Sequence, residues 1–271
     1  MEVFFLFLLA LAVGSLTTLY WIPEPDLGRG YFQLNSLVIL GLLGLASAVY
    51  YLHPFQPFGD RSALGTAGLV GGLAAAFLYY GAIWRERWRV ARWPLSLALT
   101  GAVISFLVAG SHLVSTTTPL PHRQLLLLSS LAGSALLLGW SLATMLLGHW
   151  YLISPKLNFR HLVIFCSLLL GIVFFRHLSV AASLVAAASV DPMVEPHPWR
   201  ALVSFGGHGI FFWFRLVWGL LMPLLLALMA LHCARQHSNQ SATGILYVLV
   251  MGSIIGELTG FYLTLTTGVP M

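Results

Sequence analysis

GILYVLVMGSIIGELTGFYLTLTT, residues 244–267, carries a single charge, Glu257, in 24 residues. About 20 mostly apolar residues suffice to cross the hydrocarbon core of a bilayer as a helix. Seven more runs of this kind precede it, at about 3–22, 32–53, 64–84, 94–115, 124–152, 161–190 and 209–234. The composition agrees: 59% of the chain is hydrophobic and 8% is charged, with a mean hydropathy of +0.89. Ordinary soluble domains carry about a quarter of their residues as charges. The chain therefore reads as an all-α, polytopic integral membrane protein, a single domain of eight transmembrane helices in a bundle. Helices are required because lipid offers no partner for an unpaired backbone group. Turn residues punctuate the runs: Pro23 and Pro25 after the first, Pro54 and Pro57 after the second, Ser154 and Pro155 after the fifth. The opening MEVFFLFLLALAVG lacks a basic segment ahead of its apolar run, so it reads as a span and not as a cleaved signal peptide.

The connections set an orientation. The first, third, fifth and seventh hold eight basic residues: Arg29, Arg85, Arg87, Arg89, Arg92, Lys156, Arg160 and Arg235. The others hold three: Arg61, Arg123 and Arg200. The positive-inside rule places the odd connections in the cytoplasm and both termini outside, on the periplasmic side of what is expected to be a bacterial cytoplasmic membrane. A net charge of +5 and a pI near 9.5 express that topology and do not point to nucleic acid. The longest connection, DPMVEPHPWRALVSFGGHG at 191–209, contains WRALVSF, which suits a short interfacial helix with Trp199 at the headgroup level. Small-residue runs, GLVGGLAAA in the third span and AASLVAAAS in the sixth, suit close helix packing. Cys166 and Cys233 stand in no metal or redox spacing and read as free thiols.

Ionisable groups at membrane depth mark functional sites by default. Arg176, Arg215 and Glu257 are the three charged residues inside spans. His112 and His177 join them, with His53 and His208 at helix ends. Following each span's direction puts Arg176, His177, Arg215, His112 and Glu257 in the outer half of the membrane. Spans seven and eight are antiparallel neighbours across HSNQSATG (237–244), so Arg215 and Glu257 are expected to face each other. Two readings follow. In one, the pair locks the bundle. In the other, an outward-opening polar pocket binds and protonates a ligand, with Glu257 and His177 moving protons. His149, beside Trp150 and Tyr151, reads as an interfacial anchor. Asn239 or Ser241 suits a helix N-cap.

WFRLVWGLLMP (213–223) followed by GELTGFYL (256–263) resembles the last two helices of dimethyl sulfoxide reductase membrane anchors, of the polysulfide-reductase (NrfD-like) group. In that group an aromatic–Arg pair opens the seventh helix and a Gly-Glu-apolar-x-Gly stretch lies in the eighth. Leu52-His53 is similar to the Leu-His that closes their second helix, whereas Phe261 stands where they commonly have an Arg. The resemblance implies an eight-helix subunit that binds a quinone, menaquinone or ubiquinone, near the outer face and docks an iron–sulfur partner there. It implies Arg215, Glu257 and His53 as quinone-site residues.

The residues themselves leave three functions open. A quinone-interacting anchor subunit of a respiratory oxidoreductase would use Arg176, His177, Arg215, His112 and Glu257 at the head group and Trp218 among the aromatic walls. In that case Arg215→Leu or Glu257→Gln abolishes quinol-linked electron transfer while the protein still inserts. A membrane cytochrome would take haem b on His112 and His177, with His53 and His208 in reserve. A proton-coupled transporter would use Glu257 as its carrier, with Pro223 as the single mid-span proline.

Overall fold

The computed structural model describes residues 1–21, 24–53, 55–114, 120–153, 160–190, 198–204, 206–207 and 209–271, with the backbone alone at 24–26, 198 and 201. Pro23, Pro54, Ser154, Pro155, Lys156, His197 and His208 lie outside the described residues.

The described chain is helical throughout: α1 Glu2–Thr18, α2 Glu24–Leu52, a short 3₁₀ turn Gly59–Arg61, α3 Ser62–Trp84, α4 Trp88–Leu113, α5 Arg123–Ile153, α6 Arg160–Ala188, α7 Pro198–Val203, α8 Gly209–Leu216, a π-helical turn Val217–Leu221, α9 Met222–Arg235 and α10 Asn239–Thr267. Seven of these stretches are long and apolar enough to cross a membrane, α8 to α9 counting as one. The short α7 falls on WRALVSF, where the sequence suggests an interfacial helix.

α1 has only 17 residues. Residues 5–16 are all buried, as an all-round apolar helix should be when it sits at the centre of a bundle. It packs against α2, α4, α5 and α10. Its closest neighbour is α5, and the two backbones cross at Gly14 and Gly139, where a Cβ on either would fall on main-chain atoms of the other helix. Trp140 Nε1 donates to Thr17 Oγ1 at 3.1 Å along the same seam. A second glycine seam joins α3 to α4, with Gly68 and Gly72 set against Gly101 and Ser105 Oγ donating to the Gly65 carbonyl at 2.8 Å. GLVGGLAAA thus serves close packing, as its small residues suggest.

Several helix limits differ from the apolar runs. α2 begins before its run and breaks at Gly28, whose φ of 73° and ψ of 167° are non-helical. That region is essentially reserved for glycine. Gly28→Val is expected to destabilise the protein by about 1–3 kcal/mol, read as a lower midpoint in thermal unfolding, although nothing lies within 4 Å of a Cβ there. α4 begins at Trp88, so Pro94 lies inside it and Pro223 is not the only proline within a span. The last connection shrinks to 236–238, with His237 left-handed at φ 57° and Ser238 as N-cap. Asn239 and Ser241 therefore sit in the first turn of α10, and Ser238 Oγ donates to Ser241 Oγ at 3.1 Å.

Candidate functional site

Arg176 on α6, Arg215 in the last turn of α8 and Glu257 on α10 meet in one cluster. Glu257 Oε1 accepts from Arg176 Nε at 3.0 Å and from Arg215 Nη2 at 2.7 Å, and Oε2 accepts from Arg176 Nη2 at 2.9 Å. The Arg176 pair is a two-bond fork, the strongest geometry for a guanidinium on a carboxylate. All three side chains are 0% exposed.

The remaining donors are largely matched by backbone. Arg176 Nη1 donates to the carbonyl of Ser130 at 3.3 Å and to its Oγ at 3.1 Å. Arg176 Nη2 also donates to the Met271 main-chain oxygen, which Ser130 Oγ reaches at 3.1 Å. Residues 268–271 are folded back to this point: Gly268 turns the chain at φ 71°, and Met271 N donates to Thr264 Oγ1 at 2.9 Å. Arg215 Nη1 donates to the Gly219 carbonyl at 3.3 Å. That carbonyl is available because Pro223, four residues on, has no N–H to give it. Gly219 itself lies within the π turn, after which Met222 N donates to Val217 O.

Glycines make the room. Gly219 and Gly256 bring α10 against the π turn at backbone distance, a Cβ on Gly219 standing 2.8 Å from the Gly256 Cα. A Cβ on Gly260 would stand 3.1 Å from Arg215 Nε, and one on Gly133 2.9 Å from the Arg176 stem. Gly256 makes room for both the π turn and the Arg215 guanidinium, whose Nη1 would stand 2.9 Å from a Cβ there, and Gly260 makes room for the same guanidinium.

The cluster is sealed. Among the described residues the two arginines bind the Glu257 carboxylate directly, and all three side chains are buried at the place where the sequence suggests an outward-opening polar pocket. His177 does not join it: its Nδ1 lies 2.8 Å from the Val173 carbonyl of its own helix. Trp218 is 45% exposed and packs beside Phe214 at 6.1 Å between ring centres. Phe211, Trp213 and Phe214 are likewise exposed, and Phe212 alone of that run is buried. His53 stands half-buried past the end of α2, away from the cluster. His112 is exposed on α4 and its ring covers Gly59. α6 packs on α5 and α9, and α4 on α3 and α1 with a slight contact to α5. His149 meets Tyr247 OH at 3.1 Å at the other end of the bundle.

A cleft opens where α4 and α5 diverge. These helices are consecutive but touch only slightly. At the end of the bundle where α4 finishes and α5 begins, a cavity of about 470 Å³ is lined by Asp60, Arg61, His112, Arg123 and Gln124 over a floor of Phe58, Val108, Leu127 and Leu128. Arg123 Nη2 donates to the Val114 carbonyl at 3.3 Å, which ties α5 to the end of α4 across the mouth. A second cavity of about 350 Å³ is almost wholly apolar, lined by Val13, Val103, Phe106, Leu107, Leu128, Ala132, Ala135 and Leu136. Leu128 borders both, so the polar mouth and the apolar groove are neighbours. Of the mouth, sequence reasoning singled out His112 alone. Asp60, Arg61, Arg123 and Gln124 read as loop and helix-start residues, and their charge beside a histidine-bearing helix end was the available signal.

Among the described residues no group of three or more His, Cys, Asp or Glu side chains is placed to hold a metal ion. Both cysteines are free, Cys166 buried and Cys233 partly so. Comparison of the chain with protein-family models, with curated proteins and with solved structures found no match.

Proposed function

We propose that the protein is a quinone-interacting membrane subunit of a respiratory oxidoreductase, and that the quinone head group sits in the cleft between α4 and α5. The observation that carries this reading is a pair of neighbouring cavities: an ionisable mouth at one end of the bundle and an apolar groove, both bordered by Leu128. A quinone needs both parts, a groove for its isoprenoid tail and donors with a proton-exchanging group at its carbonyls. His112 supplies the exchanging group, because an imidazole can both donate and accept a proton and this one is exposed at the cavity. Arg123 holds the head group, and Asp60 stands in the same mouth to pass protons to water.

The buried cluster then has a different duty. It ties α5, α6, α8 and α10 together behind the groove wall that α5 provides. On this reading α1 is the eighth crossing, short because protein and not lipid surrounds it. Both termini lie on the outer side of a bacterial cytoplasmic membrane, and a redox partner docks over the mouth, where electrons leave or arrive. Menaquinone and ubiquinone share the required head-and-tail chemistry.

His112→Ala and Arg123→Gln are each expected to weaken quinone binding about tenfold, the equivalent of one hydrogen bond of about 1.4 kcal/mol. The check is titration of a short-tail quinone against the purified protein, with thermal unfolding to confirm that both variants fold. Wild-type affinity in both would refute the assignment of the cleft.

A further inference from the structure

We infer that the quinone comes in sideways from the membrane, through the gap between α4 and α5, and that Ala132 is the side chain that decides which tails pass. The route rests on the cleft reading above and adds to it a direction of approach and a specificity residue. The groove has a closed back and an open front. Val13 of α1, Phe106 of α4 and Ala135 of α5 line its back and are at most 7% exposed. Phe106 is braced from behind by Phe261 of α10, edge to face at 6.4 Å between ring centres. Leu107, Leu128 and Ala132 line the same groove and are exposed. Leu107 lies six residues before the end of α4, and Ala132 nine past the start of α5. At the rise of an α-helix that is roughly 9–14 Å in from the helix ends. Both helices are long and apolar enough to cross a membrane, so a front that opens at this depth meets hydrocarbon and not water.

The chemistry of the ligand calls for such a front. Every methylene of an isoprenoid tail is costly to expose to water, so a tailed quinone resides in the bilayer. A mouth reached from the water phase alone would force the tail across that barrier. An opening on the lipid side lets the tail stay in an apolar medium while the head group moves to the mouth beside Leu128. The slight contact between α4 and α5 leaves that opening. α5 presents Leu128, Ala132 and Ala135 to the groove at spacings of four and three, which is one face of a helix. The two alanines differ in what limits their size. The Ala135 carbonyl lies against Gly14 of α1, so packing keeps that position small. Ala132 is exposed, and packing does not set its size. A larger side chain there would reach over the front of the groove and fill it, leaving the fold as it is. A small residue at this place, one turn past Leu128, keeps the front open to a branched tail.

The test titrates the full chain in lipid nanodiscs with one quinone head group, either bare or carrying a short isoprenoid tail, and reads the quenching of tryptophan fluorescence. Affinities are compared variant against parent for each quinone, so partition into lipid cancels. Ala132→Phe is expected to weaken the tailed quinone by about five- to a hundredfold, the range for overfilling a packed site. Ala132→Leu should weaken it less, and neither variant should change the bare quinone. Ala74→Phe, at an exposed alanine on α3, should change neither quinone. Thermal unfolding confirms that the variants fold as the parent does. Parent affinity for the tailed quinone in both Ala132 variants overturns the proposal and leaves the groove to the acyl chains of lipid. So does an equal loss of both quinones, or an equal loss in Ala74→Phe. His112→Ala separates this failure from that of the cleft. If it weakens both quinones while Ala132→Phe weakens neither, the cleft stands and the sideways route falls. A parent that binds neither quinone removes both.

Discussion

Glu257→Leu is expected to leave no stably folded protein. The carboxylate holds three charge-assisted bonds from two guanidinium groups, and all three side chains are shut from solvent. Without it, Arg176 and Arg215 would be two like charges facing each other in a dry interior. Breaking a buried ion pair by removing one partner costs about 3–5 kcal/mol, against a total stability of about 5–15 kcal/mol for a typical domain. Here one removal takes the carboxylate from two cations and leaves them the Ser130, Met271 and Gly219 oxygens. Glu257→Gln keeps the shape and one acceptor, so its loss should be intermediate. Arg176→Met, Arg215→Met and Glu257→Leu combined should regain much of the stability that the single change removes, because apolar side chains of similar volume often replace a buried charge set at no net cost. Unfolding midpoints and size-exclusion profiles in detergent separate these outcomes. A Glu257→Leu variant as stable as the parent would show that the cluster holds nothing together.

That cluster was partly legible in the sequence, for reasons that mark where such reading stops. Arg215 and Glu257 lie on antiparallel helices joined by a short turn, and Arg176 lies at matching depth, so their meeting follows from direction and rise. His177 fails by the same geometry. One residue along an α-helix turns a side chain by about 100°, so the residue after a buried Arg176 points elsewhere. Trp218 is placed by the π turn, which inserts extra residues into the helical repeat, and Pro223 alone hints at that turn in the sequence. The cleft between α4 and α5 was not legible. Consecutive elements usually pack together, and nothing in the composition of either helix announces that α4 turns instead to α3 and α1. The class of fold, by contrast, follows from the apolar runs alone, because lipid admits few other solutions.

Gly139→Val should be nearly as damaging as the loss of Glu257, although it touches no charge. A Cβ at Gly139 would fall on the backbone of Gly14 and Ser15, and one at Gly14 on the carbonyl of Ala135. Neither neighbour is a flexible side chain that can swing away, so α1 must move off α5. Overpacking a core typically costs about 1–3 kcal/mol and sometimes more, and a collision with main chain belongs at or above the top of that range. The consequence reaches the cleft as well, because Val13 on α1 and Ala135 on α5 both line its apolar groove. If the groove takes a quinone tail as proposed, a shifted α1 would weaken that binding through the tail, not through His112. The matching control is Gly171→Ala on α6, where nothing lies within 4 Å of the new Cβ. There the change removes a poor helix former and should be neutral or stabilising by up to about 1 kcal/mol. The two glycines look alike in sequence, each mid-helix and flanked by apolar residues, and Gly139→Ala, set against Gly171→Ala, should differ from it in sign through the crossing of α1 and α5. If Gly139→Val unfolds at the same temperature as the parent, the two helices do not cross at backbone distance, and α1 is not the central element of the bundle.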